Sequence, residues 1–391
     1  MRIERFEYRD KDSGWHLAPV EFFPDLTLLV GVSGVGKTRI LRAIETIKDI
    51  AQKDANGRST RSEDPWGVEW DITFSTREGS RFRWSGEFES RAKPEEGDDV
   101  VDMAHLVSAV TEREAGPRVV RETLWKGDDI VVERGEDGIL LRGSKLPKLS
   151  SYQSVLSILS EEETVRPAYE AFSRILLVDN SWGPAGVSNV RQFDKVSREH
   201  DTLHAIREAD LETPTKLALL RHVDPALFES ITQRFREVFS QVEEVGIQEL
   251  RASSNVLLYV RIRERGVSGW IPTHKVSSGM MRTLLHIARM FLSPDGTVVL
   301  IDEFENSMGV NCIDFVTKEV VHESDRIQFI ITSHHPYIIN SIDTRHWMIV
   351  CRDGSTVSTH RTTDLGLEGS AHESFIKLIN LPQFQEGIAT G

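Results

Sequence analysis

Hydrophobic and polar residues follow two different periods along this chain of 391 residues. Near the start, residues 3–8 and 15–23 have the texture of two strands joined by a turn at 11–14, where Gly14 ends a polar stretch. Residues 26–30 are apolar throughout except for one threonine, which predicts a buried strand. Apolar residues at helical spacing over 39–48 predict a helix directly after it.

The period changes twice more before the end of the chain. We predict antiparallel strands from 67–74, 81–88 and 119–141, within a β region that spans 60–145. Helical spacing dominates 150–250, interrupted by a strand at 175–179 and a loop at 180–197, and residues 251–263 predict a further strand. From 276 onward strands and helices alternate, as in α/β units. Mixed charges and limited length exclude a long coiled-coil arm.

The segment Gly31–Thr38 reads Gly-Val-Ser-Gly-Val-Gly-Lys-Thr and matches the pattern G-x-x-x-x-G-K-[ST] between a predicted strand and a predicted helix. In such a loop the glycines permit a tight turn, and successive backbone N–H groups point at a β-phosphate beside a positive helix end. Lys37 would bridge the β- and γ-phosphates, and the Thr38 hydroxyl would bind Mg²⁺. The alternative is a glycine-rich turn with an incidental lysine. We predict a nucleotide cradle formed by Gly31, Ser33, Gly34, Val35, Gly36, Lys37 and Thr38.

A second apolar strand, 297–301, ends in the adjacent carboxylates Asp302 and Glu303. Phosphoryl transfer needs one carboxylate near the metal and another that polarises the attacking water, so we assign these roles to Asp302 and Glu303 respectively. The alternative is an acidic pair that caps a helix after a buried strand.

Two further segments complete the candidate chemistry. The apolar strand 327–333 leads into His334, which we expect at the carboxyl edge of the sheet, in contact with the γ-phosphate. The alternative for His334 is a satisfied core histidine. Ser277, Ser278 and Gly279 open a predicted helix that continues to 291, and such a start provides caps and free N–H donors for an anion.

Composition narrows the classes of function. The net charge of −14 and pI near 5.5 disfavour a surface that binds nucleic acid everywhere, although a local basic groove stays compatible with them. No run approaches 18 apolar residues and the first residues are too charged for a signal peptide, so we expect a cytoplasmic protein without a membrane role. Cys312 and Cys351 lack metal-site spacing and are expected as core thiols.

Taken in order, these motifs resemble the soluble branch of the ATP-binding-cassette ATPase superfamily, which includes structural-maintenance-of-chromosomes heads, RecF-like proteins, overcoming-lysogenization-defect proteins and AAA ATPases of antiphage systems. The resemblance implies one α/β P-loop ATPase head over 1–391 with a mixed central sheet: a phosphate-loop core in 1–50, an antiparallel β subdomain in 60–145, a helical lobe in 150–250 and a signature-to-histidine core in 251–391.

The resemblance also assigns roles to individual residues. It makes Gly31–Thr38 the Walker A motif, Ser277–Gly279 the signature, Asp302 and Glu303 the Walker B pair and His334 the switch histidine. It places the D-loop at 306–308 and the Q-loop at Gln153, a third residue near Mg²⁺ beside Thr38 and Asp302. The signature would complete the ATP site of a second subunit in a head-to-tail dimer. Two departures are Ser33, where the branch has Asn, and Met280-Met281, where a polar residue usually follows.

Two features that other members of this branch carry, a coiled-coil arm and a fused nuclease, are not expected in this chain. Residues 143–275 supply no coiled-coil arm, and 335–391 are too few for a fused nuclease. The hypothesis is therefore a sensor or regulatory ATPase of an antiphage system resembling PARIS, Septu or retron cassettes, which responds to a phage-derived trigger and controls a separately encoded nuclease or toxin. Alternatives are a RecF-like DNA clamp, a transporter's energising subunit and a non-hydrolysing scaffold. Phe6, Tyr8 and Trp15 are either adenine-stacking or core aromatics.

Overall fold

The computed structural model describes residues 1–52, 65–91, 116–178, 187–209, 211–252, 255–367, 369–381 and 384. Its strands are β1 (Arg2–Asp10), β2 (Trp15–Glu21), β3 (Leu26–Val30), β4 (Val68–Ser75), β5 (Arg81–Phe88), β6 (Val119–Lys126), β7 (Asp129–Gly135), β8 (Gly138–Leu141), β9 (Ser144–Lys145), β10 (Ile175–Val178), β11 (Val187–Asn189), β12 (Val242–Ala252), β13 (Asn255–Glu264), β14 (Ile271–Pro272), β15 (Val298–Ile301), β16 (Gln328–Thr332), β17 (Trp347–Asp353) and β18 (Thr356–Arg361). Its α-helices are α1 (Lys37–Gln52), α2 (Val155–Ile158), α3 (Arg166–Ser173), α4 (Val190–Glu199), α5 (Leu203–Glu208), α6 (Thr213–Val223), α7 (Pro225–Val238), α8 (Ser278–Leu292), α9 (Val310–Glu323), α10 (Pro336–Ser341) and α11 (Ala371–Ile379).

One long mixed sheet organises the described residues, in the strand order β10-β15-β16-β3-β17-β18-β2-β1-β4-β5-β6-β7-β8-β9. The pairs from β10 to β17 are parallel. In this part β3, β15 and β16 are buried along their whole length, which explains why each reads as an almost uninterrupted apolar run. The carboxyl ends of β3, β15 and β16 therefore lie side by side at one edge of the sheet.

The sheet has a hydrophobic core on each face. Along β15, Val298 and Leu300 belong to one core while Val299 and Ile301 belong to the other. The first core contains the buried faces of α1, α2 and α3, and the second contains those of α6 to α10. Helices thus cover the parallel strands on both sides, the three-layer arrangement expected of an α/β domain.

The predicted antiparallel strands are present, but they continue the central sheet. β4 pairs with β1, and β5 to β9 follow it in turn, while β2 joins β18 by a short parallel pairing. Large aromatic residues on one face fill the space beneath α3: Trp84 and Phe74 both lie 5.1 Å from the Phe172 ring, centroid to centroid. The described part of the β region predicted at 60–145 is thereby a wing of one sheet; its residues 60–64 and 92–115 lie outside the described residues.

The predicted helical lobe at 150–250 and the predicted loop at 180–197 each need a correction. Residues 242–252 form β12, which pairs with β13 in a second sheet together with β11 and β14. A bulge between Val242 and Glu244 breaks the strict alternation, which hides the strand from a period-2 search. Residues 190–199 form α4, since the glycine and proline residues of that stretch end at 186; residues 179–186 lie outside the described part of the chain.

Several other expectations concern burial. Phe6, Tyr8 and Trp15 are all buried, and the Arg39 guanidinium lies 4.5 Å above the Trp15 ring, so these aromatics belong to the core in this structure. Cys312 and Cys351 are free, buried thiols, as predicted. Within the described ranges, no helix combines the length and apolar character needed to cross a membrane.

Candidate nucleotide site

The phosphate loop occupies the turn between β3 and α1, as predicted, and its glycines are sterically required. Gly34 and Gly36 have φ values of +87° and +112°, which L side chains rarely adopt. A Cβ on Gly31 would lie 2.7 Å from the carbonyl oxygen of Val350 on neighbouring β17, closer than real contacts allow. The loop is therefore held tightly against the sheet, with the first turn of α1 directly behind it.

Lys37 folds back over this loop. Its Nζ donates hydrogen bonds to the carbonyl oxygens of Gly31 at 2.7 Å and Val32 at 3.0 Å. Burial lowers the pKa of Lys37, while the carboxylates of Asp302, Glu305 and Glu303 act in the opposite direction. A partly buried ammonium facing backbone carbonyls fits a phosphate group well, because phosphate oxygens would supply stronger acceptors at the same place.

Asp302 lies beside Thr38, which brings together two of the three residues predicted near Mg²⁺. The Thr38 hydroxyl donates to Asp302 Oδ1 at 3.0 Å, and the Thr332 hydroxyl donates to the same oxygen at 2.7 Å. A hydroxyl and a carboxylate are hard oxygen ligands, the type that Mg²⁺ prefers together with water and phosphate oxygens. This pair of residues therefore fits a magnesium ion brought in with a nucleotide.

Glu303 is exposed at the same edge of the sheet and has a strained backbone. Its φ of +46° is unusual for a residue with a side chain. Two contacts hold this conformation: its N–H donates to Thr332 Oγ1 at 2.8 Å, and its carbonyl oxygen accepts from Arg282 Nη2 at 3.1 Å. Strain that neighbouring contacts impose is typical of functional positions, and here it directs the Glu303 side chain out of the core.

Glu305 is a site residue that the sequence reasoning missed. Its side chain is only 8% exposed; Oε1 accepts a hydrogen bond from the backbone N–H of His334 at 3.0 Å and lies 2.9 Å from His334 Nδ1. Its second oxygen, Oε2, is buried without a hydrogen-bond partner among the described residues. His334 itself is 58% exposed, so it is not a satisfied core histidine. Glu305 therefore holds the backbone of His334 and places a carboxylate beside its imidazole.

Arg282 is the second residue that was missed. It is buried on α8, where Nη2 donates to the carbonyl oxygens of Glu303 and, at 3.5 Å, Asp302. Arg282 Nε faces Nε2 of His286 at 3.4 Å. Complete burial, with Arg289 and Arg282 nearby, lowers the pKa of His286 well below its ordinary value, so the ring is neutral and accepts this bond. Arg282 thereby ties the signature helix to the backbone that carries both carboxylates.

Ser277, Ser278 and Gly279, the predicted signature, lie at the start of α8. Ser277 is the N-cap, and its hydroxyl accepts from the N–H of Met280 at 3.3 Å. A Cβ on Gly279 would lie only 2.5 Å from the carbonyl oxygen of Ser307, so α8 begins in direct contact with the D-loop. Ser277 and Ser278 are exposed, and no described hydrogen bond or ion pair joins them to residues 31–38 of the same chain. Met280 is buried in the helical core, which accounts for the absence of a polar residue there.

Gln153 lies immediately before Ser154, the N-cap of α2. Its carbonyl oxygen accepts from Arg134 Nη1 at 2.8 Å, and buried Glu122 accepts from the Ser154 hydroxyl at 2.6 Å and from the N–H of Val155 at 2.9 Å. The structure thus anchors the backbone on both sides of Gln153 to the β wing. The role of Gln153 near the metal stays a prediction.

This fold and this loop define a P-loop nucleotide-binding protein of the ATPase class. Residues 26–340 match the model of the family described as "AAA domain, putative AbiEii toxin, Type IV TA system", and the chain belongs to that family. The match begins at β3 and ends within α10, so it contains every segment of the site described above. No curated protein matches the chain.

Solved structures with a similar fold include heads of Smc proteins. An SmcHead bound to the C-winged helix domain of ScpA is 14% identical, covers 92% of this chain and 98% of its own, and has a TM-score of 0.43. The Pyrococcus furiosus Smc head with an extended coiled coil, bound to the C-terminal domain of ScpA, is 12% identical, with coverages of 92% and 96% and a TM-score of 0.48. The Thermotoga maritima SMC head is 14% identical, with coverages of 92% and 99% and a TM-score of 0.43.

Proposed function

We propose that this protein binds ATP with Mg²⁺ and hydrolyses it, and that it is a sensor or regulatory ATPase of a bacterial antiphage system that controls a separately encoded nuclease or toxin. The observation that carries the ATPase part is that the hydroxyls of Thr38 and Thr332 both donate to Asp302 Oδ1, at 3.0 and 2.7 Å. Exposed Glu303 follows Asp302 directly. Three strand ends from distant parts of the sequence meet there, and each provides a group that phosphoryl transfer requires.

Each residue has a separate task in this proposal. The loop N–H groups and Lys37 bind the phosphates, and Thr38 and Asp302 hold the metal, which neutralises charge on the phosphate oxygens. Glu303 orients a water molecule for attack on the γ-phosphate and takes its proton. His334, held by Glu305, contacts the γ-phosphate and so distinguishes ATP from ADP.

The same proposal includes a dimer in which the signature of one copy faces the ATP of the other. Exposed Ser277 and Ser278, at the N-terminus of a 15-residue helix, offer hydroxyl and backbone N–H donors to an incoming γ-phosphate. ATP would then lie between two copies in a head-to-tail arrangement with two shared sites. Nucleotide state would set the assembly, which is how such a head would transmit a signal to another protein.

The defence role is motivated by the family description, which names a toxin of a toxin–antitoxin system. A toxin–antitoxin pair consists of two encoded components, and the proposal makes this chain the component that acts on a separately encoded one. The direct test is to express the protein with the products of its neighbouring genes and challenge the cells with phage. A replication or repair neighbourhood without a nuclease or toxin gene would contradict the defence role.

The ATPase part is tested by steady-state phosphate release from purified protein. We expect Lys37→Ala to abolish ATP binding, and Glu303→Gln to retain binding, lose about 10²-fold or more in turnover and accumulate the ATP-bound dimer in light scattering. Glu161→Gln is the matched control, since this carboxylate is 97% exposed and belongs to none of the segments that form the candidate site. Wild-type turnover in both site variants would overturn the assignment. Steeply salt-dependent binding of duplex DNA that requires ATP would favour the RecF-like alternative instead.

A further inference from the structure

A second cavity lies at the opposite edge of the central sheet from the nucleotide site. Its volume is about 340 Å³, within the range of small-molecule sites. It is bounded by the start of β10, the residues that precede β15, the last turns of α1, α3 and α8, and the α5–α6 region. Because β10 and β15 are parallel and begin here, the cavity is at their amino ends, whereas the phosphate loop follows the carboxyl end of β3.

The described lining of this cavity is opposite in charge to the whole protein. Its described lining contains five basic side chains and one acidic side chain, although the chain as a whole carries a net charge of −14. The basic residues are Lys48, Arg174, Arg207, Lys216 and Arg289 and the acidic one is Glu208. The basic residues come from four different helices and from the junction between α3 and β10, so a positive helix surface that happens to face solvent does not explain the cluster. Concave basic surfaces concentrate anions.

Three of the basic groups donate hydrogen bonds to uncharged oxygens of the protein. Arg207 Nε donates to the carbonyl oxygen of Phe291 at 3.1 Å, and Lys216 Nζ donates to the carbonyl oxygen of Arg207 at 2.9 Å. Arg289 Nε donates to the Thr213 hydroxyl at 3.2 Å. These bonds order the three side chains before a ligand arrives.

Arg174 supplies a second, independent indication. Its Nη2 pairs with Glu208 Oε2 at 2.9 Å, but its Nη1 is buried and has no hydrogen-bond partner in the described part of the structure. A buried guanidinium nitrogen without an acceptor is costly, and an oxygen of a bound anion would satisfy it. The half-buried ring of Tyr169 lies in the same wall and offers a surface on which a base can stack.

We propose that this cavity binds a phosphate-bearing small molecule, separately from the ATP site. Arg174 and Lys48 contact the phosphate groups, and Arg207, Lys216 and Arg289 complete the positive wall. Two helices connect this cavity to the candidate nucleotide site at the other edge of the sheet. α1 runs from Lys37 to the cavity over about 24 Å, and α8 runs there from the signature over about 22 Å. A bound ligand therefore touches both helices that carry the phosphate-binding motifs.

The test is calorimetric titration of inorganic pyrophosphate into the Lys37→Ala protein, in which the phosphate loop has lost its cation. We expect one binding event that weakens at least tenfold when Arg174→Ala is added. Arg166→Ala is the matched control, because Arg166 lies on the neighbouring helix α3 with its side chain 49% exposed, outside the cavity lining. If Arg174→Ala proves unstable, Lys48→Gln serves instead, since it leaves the Arg174 and Glu208 pair intact and is expected to weaken binding three- to tenfold.

The results separate the two sites from each other. Absence of pyrophosphate binding in Lys37→Ala, or equal affinities in the Arg174→Ala and Arg166→Ala proteins, overturns the cavity proposal whatever the ATPase assay shows. A parallel titration with AMP identifies the source of the phosphate: tighter binding than pyrophosphate indicates a nucleotide whose base uses Tyr169, and weaker binding indicates a phosphate compound without a base.

Discussion

The contact between Gly279 and Ser307 predicts a substitution whose effect opposes ordinary helix propensity. In the interior of a helix, Gly→Ala is stabilising by roughly 0.5–1 kcal/mol. Here the added Cβ would lie 2.5 Å from the Ser307 carbonyl oxygen, so the D-loop backbone must move by at least about 0.5 Å to reach the 3.0 Å that real Cβ atoms respect. Overpacking of this kind costs about 1–3 kcal/mol, and we expect Gly279→Ala to be destabilising overall by up to about 2 kcal/mol.

The larger consequence of Gly279→Ala concerns activity. The displaced segment follows Glu303 and Glu305 directly, and a displacement of about 1 Å near reacting groups reduces rates by about 10²-fold. We expect phosphate release to fall about 10- to 100-fold, with a midpoint of urea unfolding shifted to lower concentration. Gly269→Ala is the control, because a Cβ there meets nothing within 4 Å and its φ is unremarkable. If Gly279→Ala is as stable and as active as Gly269→Ala, the steric argument is refuted.

The remaining predictions concern the groups that hold the site. Glu122→Ala should lower the free energy of unfolding by about 3–5 kcal/mol in urea titrations, because it removes the carboxylate 3.8 Å from the buried Arg134 guanidinium and leaves that charge unpaired by Glu122. Glu133 is exposed on the same strand pair, so Glu133→Ala is the control and should change the free energy by no more than about 0.5 kcal/mol. Thr332→Val should reduce ATP turnover about 10- to 100-fold, since it removes two bonds to the Walker B segment, and Thr332→Ser should restore most of it. Equal turnover in the Val and Ser variants would show that the hydroxyl has no such role.

The parts of the site that sequence predicts well are those encoded in short continuous segments. The runs 26–30, 297–301 and 327–333 are apolar because their strands are buried on both faces, so their ends locate the phosphate loop, the acidic pair and His334 directly. Ser277 was predicted as a cap from the residue type alone, and its side chain caps α8. In each case the physical constraint acts within about ten residues of the chain.

The contacts missed from the sequence depend on strand order and on packing between distant segments. Arg282 reads as an ordinary helical residue until α8 packs against the end of β15, where its guanidinium meets two carbonyl oxygens. In the sequence Glu305 is indistinguishable from an exposed acidic residue. It is buried beside His334 because the turn after β15 brings the two residues together. The strand β12 was missed for a local reason, since its bulge shifts the alternation of buried residues.

The order of the parallel strands explains why Thr332 has a central place in the site. β16 lies between β15 and β3, so the acidic strand and the phosphate-loop strand are not neighbours. The last residue of β16, Thr332, pairs in register with Leu29 and bonds Asp302 through its hydroxyl. Its hydroxyl also accepts from the N–H of Glu303, while His334 follows two residues later. A displacement of His334 on loss of the γ-phosphate would therefore reach both carboxylates through one side chain, which gives the proposed sensing of nucleotide state a short physical route.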